Sequence, residues 1–213
     1  MKTLTKEMQA AITPAMALEL LKEGNKRFVN NLKINRNLLQ QANETSDGQH
    51  PFAVILSCMD SRTSVELIFD QGLGDVFSIR IAGNIINPDI LGSMEFACKV
   101  AGSKVIVVLG HSKCGAVKGA CDQVEMDNLT ALLSKILPAV DQETTETKNR
   151  TSSNGEFVEK VSAINVKRTV KTVIDCSPIL RELIESGRVG IVGANHDIAT
   201  GEVDFYKDTL IIN

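Results

Sequence analysis

Residues 52–62 read Phe-Ala-Val-Ile-Leu-Ser-Cys-Met-Asp-Ser-Arg, and this stretch decides the fold class. Its first five residues are all apolar, which is typical of a strand buried on both faces of a parallel sheet. A thiol, a carboxylate and a guanidinium group follow almost at once, at Cys58, Asp60 and Arg62. The stretch therefore predicts a buried strand that carries reactive side chains at its carboxyl end.

A second apolar run, at residues 105–109, ends in the same way, with Gly-His-Ser-Lys-Cys-Gly at positions 110–115. Open parallel sheets bind ligands beyond the carboxyl ends of their strands. We therefore expect Cys58 and His111 to meet there, with Cys114 three residues further on. Two thiolates and an imidazole are good zinc ligands, and three protein ligands leave a fourth position for water. The pattern predicts one catalytic zinc ion.

Each half of this pattern also has a purely structural interpretation. A cysteine after a strand is usually a small buried apolar group, and His-x-x-Cys alone is weak evidence for a metal. Asp60 and Arg62 can form a structural ion pair or cap a helix. In a catalytic site, Arg62 would hold the Asp60 carboxylate ionised, and Asp60 would orient the nucleophile. The occurrence of both motifs at strand ends favours catalysis.

The remaining cysteines and histidines are predicted to be structural. Cys98, Cys121 and Cys176 lie in helical contexts and are expected in the core. His50 and His196 are isolated in the sequence, so each is expected to be hydrogen bonded rather than to bind a metal.

The order of apolar runs predicts an α/β fold with a central, mainly parallel sheet flanked by helices. The strands are expected at residues 52–57, 76–81, 105–109 and 189–194, with residues 203–206 pairing at an edge. Helices are expected at residues 15–32, 65–69, 90–100, 115–121, 129–140 and 157–174, and after Ser177-Pro178.

The chain is expected to form one domain, residues 1–213, with an N-terminal helical arm at 1–45 and an α/β core at 50–213. Thr13 and Pro14 are suitable residues for the start of the first long helix. This helix is expected either to cover an edge of the domain or to pack on a second subunit.

Composition excludes several classes of function. The 213 residues are 43% hydrophobic and 23% charged, and the formal net charge is −3 without a basic stripe, so nucleic acid is not an expected partner. No apolar run approaches the roughly 18 residues of a membrane span. The N-terminus lacks a signal-peptide core and the five cysteines are scattered, so we expect a cytoplasmic protein with no membrane partner.

The motifs Cys58-x-Asp60-x-Arg62 and His111-x-x-Cys114 together resemble the two signatures of the β-class carbonic anhydrases. Segments at residues 75–84, 92–97, 106–111 and 189–205 are similar to family segments in the same order. The resemblance implies a zinc lyase that reversibly hydrates carbon dioxide to bicarbonate and a proton. It implies one Zn²⁺ per subunit on the two cysteines and the histidine, with zinc-bound hydroxide oriented by an Asp60–Arg62 dyad. It also implies dimers, often paired into tetramers, whose N-terminal helices embrace the partner subunit.

The resemblance extends to substrate-binding residues. Ile55 stands where the branch whose aspartate closes onto zinc usually has Trp, and Gln49 matches a glutamine of the open, type I-like branch. That glutamine typically reaches the substrate from the neighbouring subunit. Phe77, Ala82 and Phe96 would form the apolar wall for carbon dioxide, with Phe96 where the open branch often has Tyr. An open site is therefore expected.

Two other functions remain open from the sequence. The same fold can serve a zinc hydrolase of carbon disulfide or carbonyl sulfide, which also present an electrophilic carbon. Cys58 and Cys114 could instead belong to a non-enzymatic zinc or thiol sensor, although metal storage would need neither Asp60 nor Arg62.

Overall fold

Five strands form one sheet in the order β2-β1-β3-β4-β5 in the computed structural model, which describes residues 3–212. Strands β1, β2, β3 and β4 run parallel, and β5 pairs with β4 in the antiparallel direction. The strands are β1 Ala53–Ser57, β2 Val76–Arg80, β3 Val105–His111, β4 Gly190–His196 and β5 Val203–Phe205. The predicted fold class, a mainly parallel sheet with an edge strand at residues 203–206, is confirmed.

Helices cover both faces of the sheet. They are α1 Lys6–Ala11, α2 Pro14–Val29, α3 Leu38–Glu44, α4 Val65–Ile68, α5 Pro88–Glu95, α6 Gly115–Cys121, α7 Asp127–Leu133, α8 Leu137–Gln142, α9 Gly155–Cys176 and α10 Pro178–Glu185. A π-helical turn, Phe96–Val100, continues α5, and 3₁₀ turns lie at Ala82–Asn84 and Lys207–Thr209.

The alternating side chains of β1 enter two separate hydrophobic clusters. Val54 and Leu56 pack on the face that α5, α9 and α10 cover, whereas Ala53 and Ile55 pack on the opposite face, where α2 and α4 lie. All four are 0% exposed, and burial of an aliphatic side chain contributes roughly 1.5–3 kcal/mol. This two-sided burial explains why β1 is apolar at every position.

The N-terminal helices pack on their own chain. The side chain of Thr13 caps α2 by accepting a hydrogen bond from the Met16 amide at 3.2 Å. Leu18 and Leu21 of α2 are buried against the sheet, and Gln9 of α1 is buried where it donates to the carbonyl of Pro51. The α2 helix therefore covers one face of the sheet of its own chain rather than an edge of the domain, and contact with a second subunit remains a prediction.

Two expectations about elements and side chains are wrong in detail, and two short helices of the N-terminal arm have no individual prediction. The single helix predicted at 129–140 is divided into α7 and α8, because Pro138 has no amide hydrogen and stands at the start of a new helix. Helices α1 and α3 were not predicted. Cys176 is exposed rather than in the core, since it is the last residue of α9, beyond the buried stripe that ends at Val173.

The other predicted core cysteines, Cys98 and Cys121, are buried as expected. His196 lies buried in β4, but its Nδ1 atom lacks the expected hydrogen-bond partner. Among the described residues, no helix is both long and apolar enough to cross a membrane.

Candidate metal centre

Cys58, His111 and Cys114 come together at the carboxyl edge of the sheet. Strands β1 and β3 are neighbours with Ser57 opposite Leu109, so the residues that follow them lie side by side. The two sulfurs are 4.0 Å apart, and one ligand atom from each of the three residues lies within 4.8 Å of the others. All three side chains are buried. This geometry can hold a metal ion, as the sequence predicts.

The imidazole of His111 is oriented for a metal. Its Nδ1 atom lies 3.0 Å from the carbonyl oxygen of Ser112, which can only accept, so Nδ1 carries the proton. In the neutral ring the Nε2 atom is then the acceptor, and it is buried with no hydrogen-bond partner. An unpartnered buried acceptor costs roughly 1–3 kcal/mol, and a metal ion at this position would remove that cost.

The two thiols interact strongly with each other. The pKa of Cys58 is lowered to about 4, chiefly because the Cys114 thiol donates a hydrogen bond to it, while burial acts in the opposite direction. The pKa of Cys114 is raised by the adjacent Cys58 sulfur and by burial. The pair therefore shares one proton. A divalent cation would displace that proton and favour both thiolates, so these residues fit a zinc ion.

Asp60 is held by Arg62 in a two-pronged ion pair. The Nε and Nη2 atoms of Arg62 donate to Oδ1 and Oδ2 of Asp60 at 2.9 and 2.7 Å, and the Arg62 amide donates to Oδ1 at 2.9 Å. The hydrogen bonds from Arg62 hold the pKa of the Asp60 carboxyl well below its usual range. Asp60 is not part of the compact group of possible ligand atoms. It is therefore an ionised acceptor at the border of the site.

Two residues that sequence reasoning missed support the loop between Cys58 and Asp60. The buried hydroxyl of Thr63 donates to the carbonyls of Cys58 and Asp60 at 3.1 and 2.8 Å. Arg80 donates to the same two carbonyls at 3.3 and 2.6 Å. Arg80 is the last residue of β2 and lies opposite Ser57. The parallel pairing of β1 with β2 is therefore the signal that could have identified Arg80 as a neighbour of this loop.

The loop after β3 is fixed by β4. The amide of Ser112 donates to the carbonyl of His196 at 2.9 Å, and the Ser112 hydroxyl accepts from the Ile198 amide at 3.0 Å. His196 is the register partner of His111. Burial lowers the pKa of His196 to about 4, so this imidazole is neutral at physiological pH.

The predicted substrate residues lie in two places. Ala82 is half-buried beside Gly83, whose amide donates to the Cys58 sulfur at 3.4 Å, so Ala82 borders the metal centre. Phe77 and Phe96 instead contact each other edge to face, with ring centroids 6.3 Å apart. These two rings line an open groove of about 650 Å³ beside β2.

Gln49 lies far from the metal centre of its own chain. It is exposed and precedes β1, whereas Cys58 follows this five-residue strand. At a rise of about 3.3 Å per residue the two ends of β1 are roughly 17 Å apart. Phe77 lies at the same end, because it pairs with Val54. The structure thus brings Ala82 to the metal group of the same chain but not Gln49, Phe77 or Phe96.

The fold and the buried Cys-His-Cys group define an α/β protein whose strand ends can hold a metal ion. The family model described as carbonic anhydrase matches residues 53–203. Carbonic anhydrase 2 of Mycobacterium tuberculosis (strain CDC 1551 / Oshkosh) is 35% identical over 200 residues, which cover 88% of this chain and 90% of that protein. The chain therefore belongs to the β-class carbonic anhydrase family, and it is an enzyme of that class.

Solved structures agree with this assignment. The β-carbonic anhydrase CafA of Aspergillus fumigatus superimposes with a TM-score of 0.71 and 25% identity, over 91% of this chain and 90% of that one. A structure from a study of two tetrameric β-carbonic anhydrases of Sordaria macrospora shares the fold with a TM-score of 0.69 and 24% identity. It covers 91% of this chain and 95% of that one.

Proposed function

We propose that the chain catalyses the reversible hydration of carbon dioxide to bicarbonate and a proton at one zinc ion per subunit. Cys58, His111 and Cys114 would hold the metal, and Asp60 with Arg62 would complete the catalytic site. The observation that carries the proposal is the buried group of two coupled thiols and a histidine with a free Nε2 atom. Bound zinc supplies the Lewis acidity that makes water a nucleophile near neutral pH.

The protein side chains supply orientation and charge. The ionised Asp60 accepts a hydrogen bond from the attacking water and directs its lone pair toward the carbon atom of the substrate. Arg62 keeps Asp60 ionised and in position through its two side-chain hydrogen bonds. Ala82 provides an apolar surface beside the metal for the uncharged substrate.

We propose that the site is of the open type, in which Asp60 stays off the metal. Arg62 donates to both carboxylate oxygens of Asp60 and so holds the carboxylate in the ion pair, which supports this view, while Oδ2 accepts only one of these bonds and can still accept from water. Ile55 supports it too, because its side chain is fully buried in the sheet core and contributes nothing to a bicarbonate pocket. A crystal structure at neutral pH with Asp60 bound to zinc and Arg62 released would contradict it.

Stopped-flow hydration of carbon dioxide with a pH-indicator dye tests the activity. We expect a rate above buffer that disappears when a chelator removes zinc and returns when zinc is restored. A zinc-loaded protein with no such rate would contradict the proposal. Hydrolysis of carbonyl sulfide or carbon disulfide without hydration of carbon dioxide would identify the alternative enzyme instead.

We also propose that Gln49, Phe77 and Phe96 act in the site of a second subunit, in a dimer or tetramer whose N-terminal arm, residues 1–45, contacts the partner. The three residues are at least partly exposed and lie away from the metal group of their own chain. The Sordaria macrospora enzymes are described as tetrameric.

We also propose that the enzyme is cytoplasmic, because all five cysteines, which lie within the described residues, are free.

Mixing two impaired variants tests the shared site. Neither Gln49→Ala nor Asp60→Asn should be fully active alone. A mixed dimer has one site that combines the intact Asp60 of one chain with the intact Gln49 of the other, so mixing after subunit exchange should restore activity. Failure to restore activity in a verified mixed dimer would place Gln49 outside the partner's site. Sedimentation of the wild-type protein as a monomer would exclude sharing altogether.

A further inference from the structure

Helix α9 contacts the loop between His111 and Cys114, and it also contacts the turn whose Gly83 amide donates to the Cys58 sulfur. Near its N-terminus, Glu159 accepts a hydrogen bond from the Lys113 amide through Oε1 at 2.8 Å. Less than two turns later, Asn165 donates from Nδ2 to the carbonyl of Gly83 at 2.9 Å. The two side chains lie about 9 Å apart along the helix axis. One rigid element of 22 residues therefore connects two loops that are distant in sequence.

The contact from Glu159 fixes the loop between His111 and Cys114. Lys113 has a φ of 58°, in the left-handed region that non-glycine residues rarely adopt. A carboxylate that accepts from its amide forms a charge-assisted hydrogen bond, which is stronger than a bond between neutral groups. Glu159 thus stabilises the backbone conformation that sets the separation of the two ligands.

The contact from Asn165 acts on Cys58 through Gly83. Asn165 is buried, with 4% of its surface exposed, and it anchors the carbonyl of Gly83. The amide of the same glycine donates to the Cys58 sulfur at 3.4 Å. Gly83 has a φ of 66° and is closely packed against Ile136. The amide and the carbonyl of Gly83 lie in adjacent peptide planes that are joined at its Cα atom, so anchoring the carbonyl restricts the backbone rotation that would turn the amide away from the sulfur.

We propose that Glu159 and Asn165 are positioning residues for the metal centre, through which α9 holds the His111–Cys114 loop and the Gly83 turn, and so the three possible ligands, at the spacing that the metal requires. Asn165 controls the donor strength of the Cys58 thiolate through the Gly83 amide, and Glu159 controls the spacing of His111 and Cys114. Removal of residues that orient the metal ligands without binding the metal typically lowers metal affinity 10- to 100-fold. This inference rests on the proposed metal centre.

Release of zinc to a chromogenic chelator tests the role of Asn165 without relying on catalysis. Asn165→Leu keeps the branching and the number of heavy atoms of the side chain but removes the donor, so we expect zinc release about 10- to 100-fold faster than in the wild-type protein. Thr169→Val is the matched control, since it changes a buried polar residue of the same helix one turn further on. The control should release zinc at the wild-type rate.

The absorption spectrum of the cobalt-substituted protein gives a second reading. A hydrogen bond from an amide lowers the energy of the sulfur lone pairs. Loss of the Gly83 contact in Asn165→Leu should therefore shift the sulfur-to-cobalt charge-transfer band to longer wavelength. The spectrum of Thr169→Val should match the wild-type spectrum. A loss of helix stability alone does not change the charge on the sulfur.

Variants of the half-buried Glu159 test the second contact without disturbing the core. Glu159→Gln retains an acceptor oxygen and should release zinc nearly as slowly as the wild type, whereas Glu159→Ala should release it about tenfold faster. Glu156→Ala, on the exposed side of the same turn, is the control.

Wild-type release rates in both Asn165→Leu and Glu159→Ala would overturn the assignment, as would equal acceleration in Thr169→Val. A wild-type protein that binds no zinc would instead overturn the proposed metal centre, and the positioning role with it.

Discussion

At the scale of single residues, Arg62 directs three hydrogen bonds at one carboxylate, that of Asp60, and the proposed chemistry depends on this contact. Arg62 itself is half exposed, with 52% of its side chain accessible, whereas the Asp60 side chain is only 16% exposed. The pair therefore contributes little to stability as a surface ion pair. The ion pair instead keeps the Asp60 carboxylate ionised and holds it in one orientation.

Asp60→Asn should keep zinc but lose about a hundredfold in the rate of carbon dioxide hydration. An amide has the same shape, but it carries no charge and presents a donor where the carboxylate presents an acceptor. Zinc content and stopped-flow rates on the same preparation check this. Rates equal to those of the wild type across the pH range would show that Asp60 does not orient the nucleophile.

The effect of pH on stability tests the pairing itself. Because Arg62 lowers the folded-state pKa of Asp60, the folded chain binds fewer protons than the unfolded chain near pH 4 and below. The stability from this group is present above the unfolded pKa of about 4 and is lost as pH falls toward the folded value. In Arg62→Met the free energy of unfolding should therefore depend less on pH between about 2 and 4.

Urea denaturation of the zinc-free protein at several pH values measures this dependence. Identical pH dependence in the wild type and Arg62→Met would mean that the two side chains are not paired in solution.

At the scale of elements, the 3₁₀ turn Ala82–Asn84 links β2 to the metal centre and admits no side chain at its middle position. A Cβ atom at Gly83 would lie 2.5 Å from Cδ1 of Ile136 and 3.2 Å from Cβ of Ala116. The positive φ adds strain for any other residue. Gly83 is therefore required both for the backbone conformation and for the close approach of α6 and the residue before α8.

Gly83→Ala should lower the free energy of unfolding by about 1–3 kcal/mol, through overpacking and backbone strain. Gly92→Ala is the control, because a Cβ atom there would meet nothing within 4 Å and the residue lies inside α5. The control should be neutral or stabilise the chain by up to about 1 kcal/mol. Urea denaturation measures both, and equal effects in the two variants would refute the steric explanation.

Helices and strands could be predicted from the sequence where the pattern that defines them is local. The uninterrupted apolar runs identified β1 and β3, and the residues that start helices identified α2 and α10, whose caps Thr13 and Ser177 accept the expected amide hydrogen bonds. Helix α3 was missed because its seven residues, Leu38–Glu44, bury only Gln41 and so show no apolar stripe.

At the scale of the whole molecule, the sheet brings together possible metal ligands, Cys58 and Cys114, that are 56 residues apart in the chain. Metal binding should therefore stabilise the fold as well as the site. At zinc concentrations about a thousandfold above the dissociation constant, linkage adds about 4 kcal/mol, which corresponds to roughly 10 °C in melting temperature for a chain of this size.

Calorimetry with and without a chelator should show this difference for the wild type. Cys58→Ser should lose zinc and activity together and should melt at the same temperature in both conditions. A melting temperature that is independent of zinc in the wild type would mean that the ion is not bound to the native state.

The order of residues along the chain was sufficient to identify the strands, the three ligands and the Asp60–Arg62 pair as candidates, because residue type and apolar spacing are local properties. It could not identify Thr63, Arg80, Glu159 or Asn165 as residues that support the site. One signal was present at Asn165, which is a polar residue among the positions that α9 buries. The hydrogen-bond partners of these four residues lie up to 82 residues away, and such long-range contacts produce no periodic pattern in the sequence. Which nitrogen of His111 is free depended on the backbone path after β3, which places the Ser112 carbonyl at Nδ1. Which of the five cysteines is exposed depended on where α9 ends. Folding decides such features because burial and hydrogen bonding depend on every element that packs around a group.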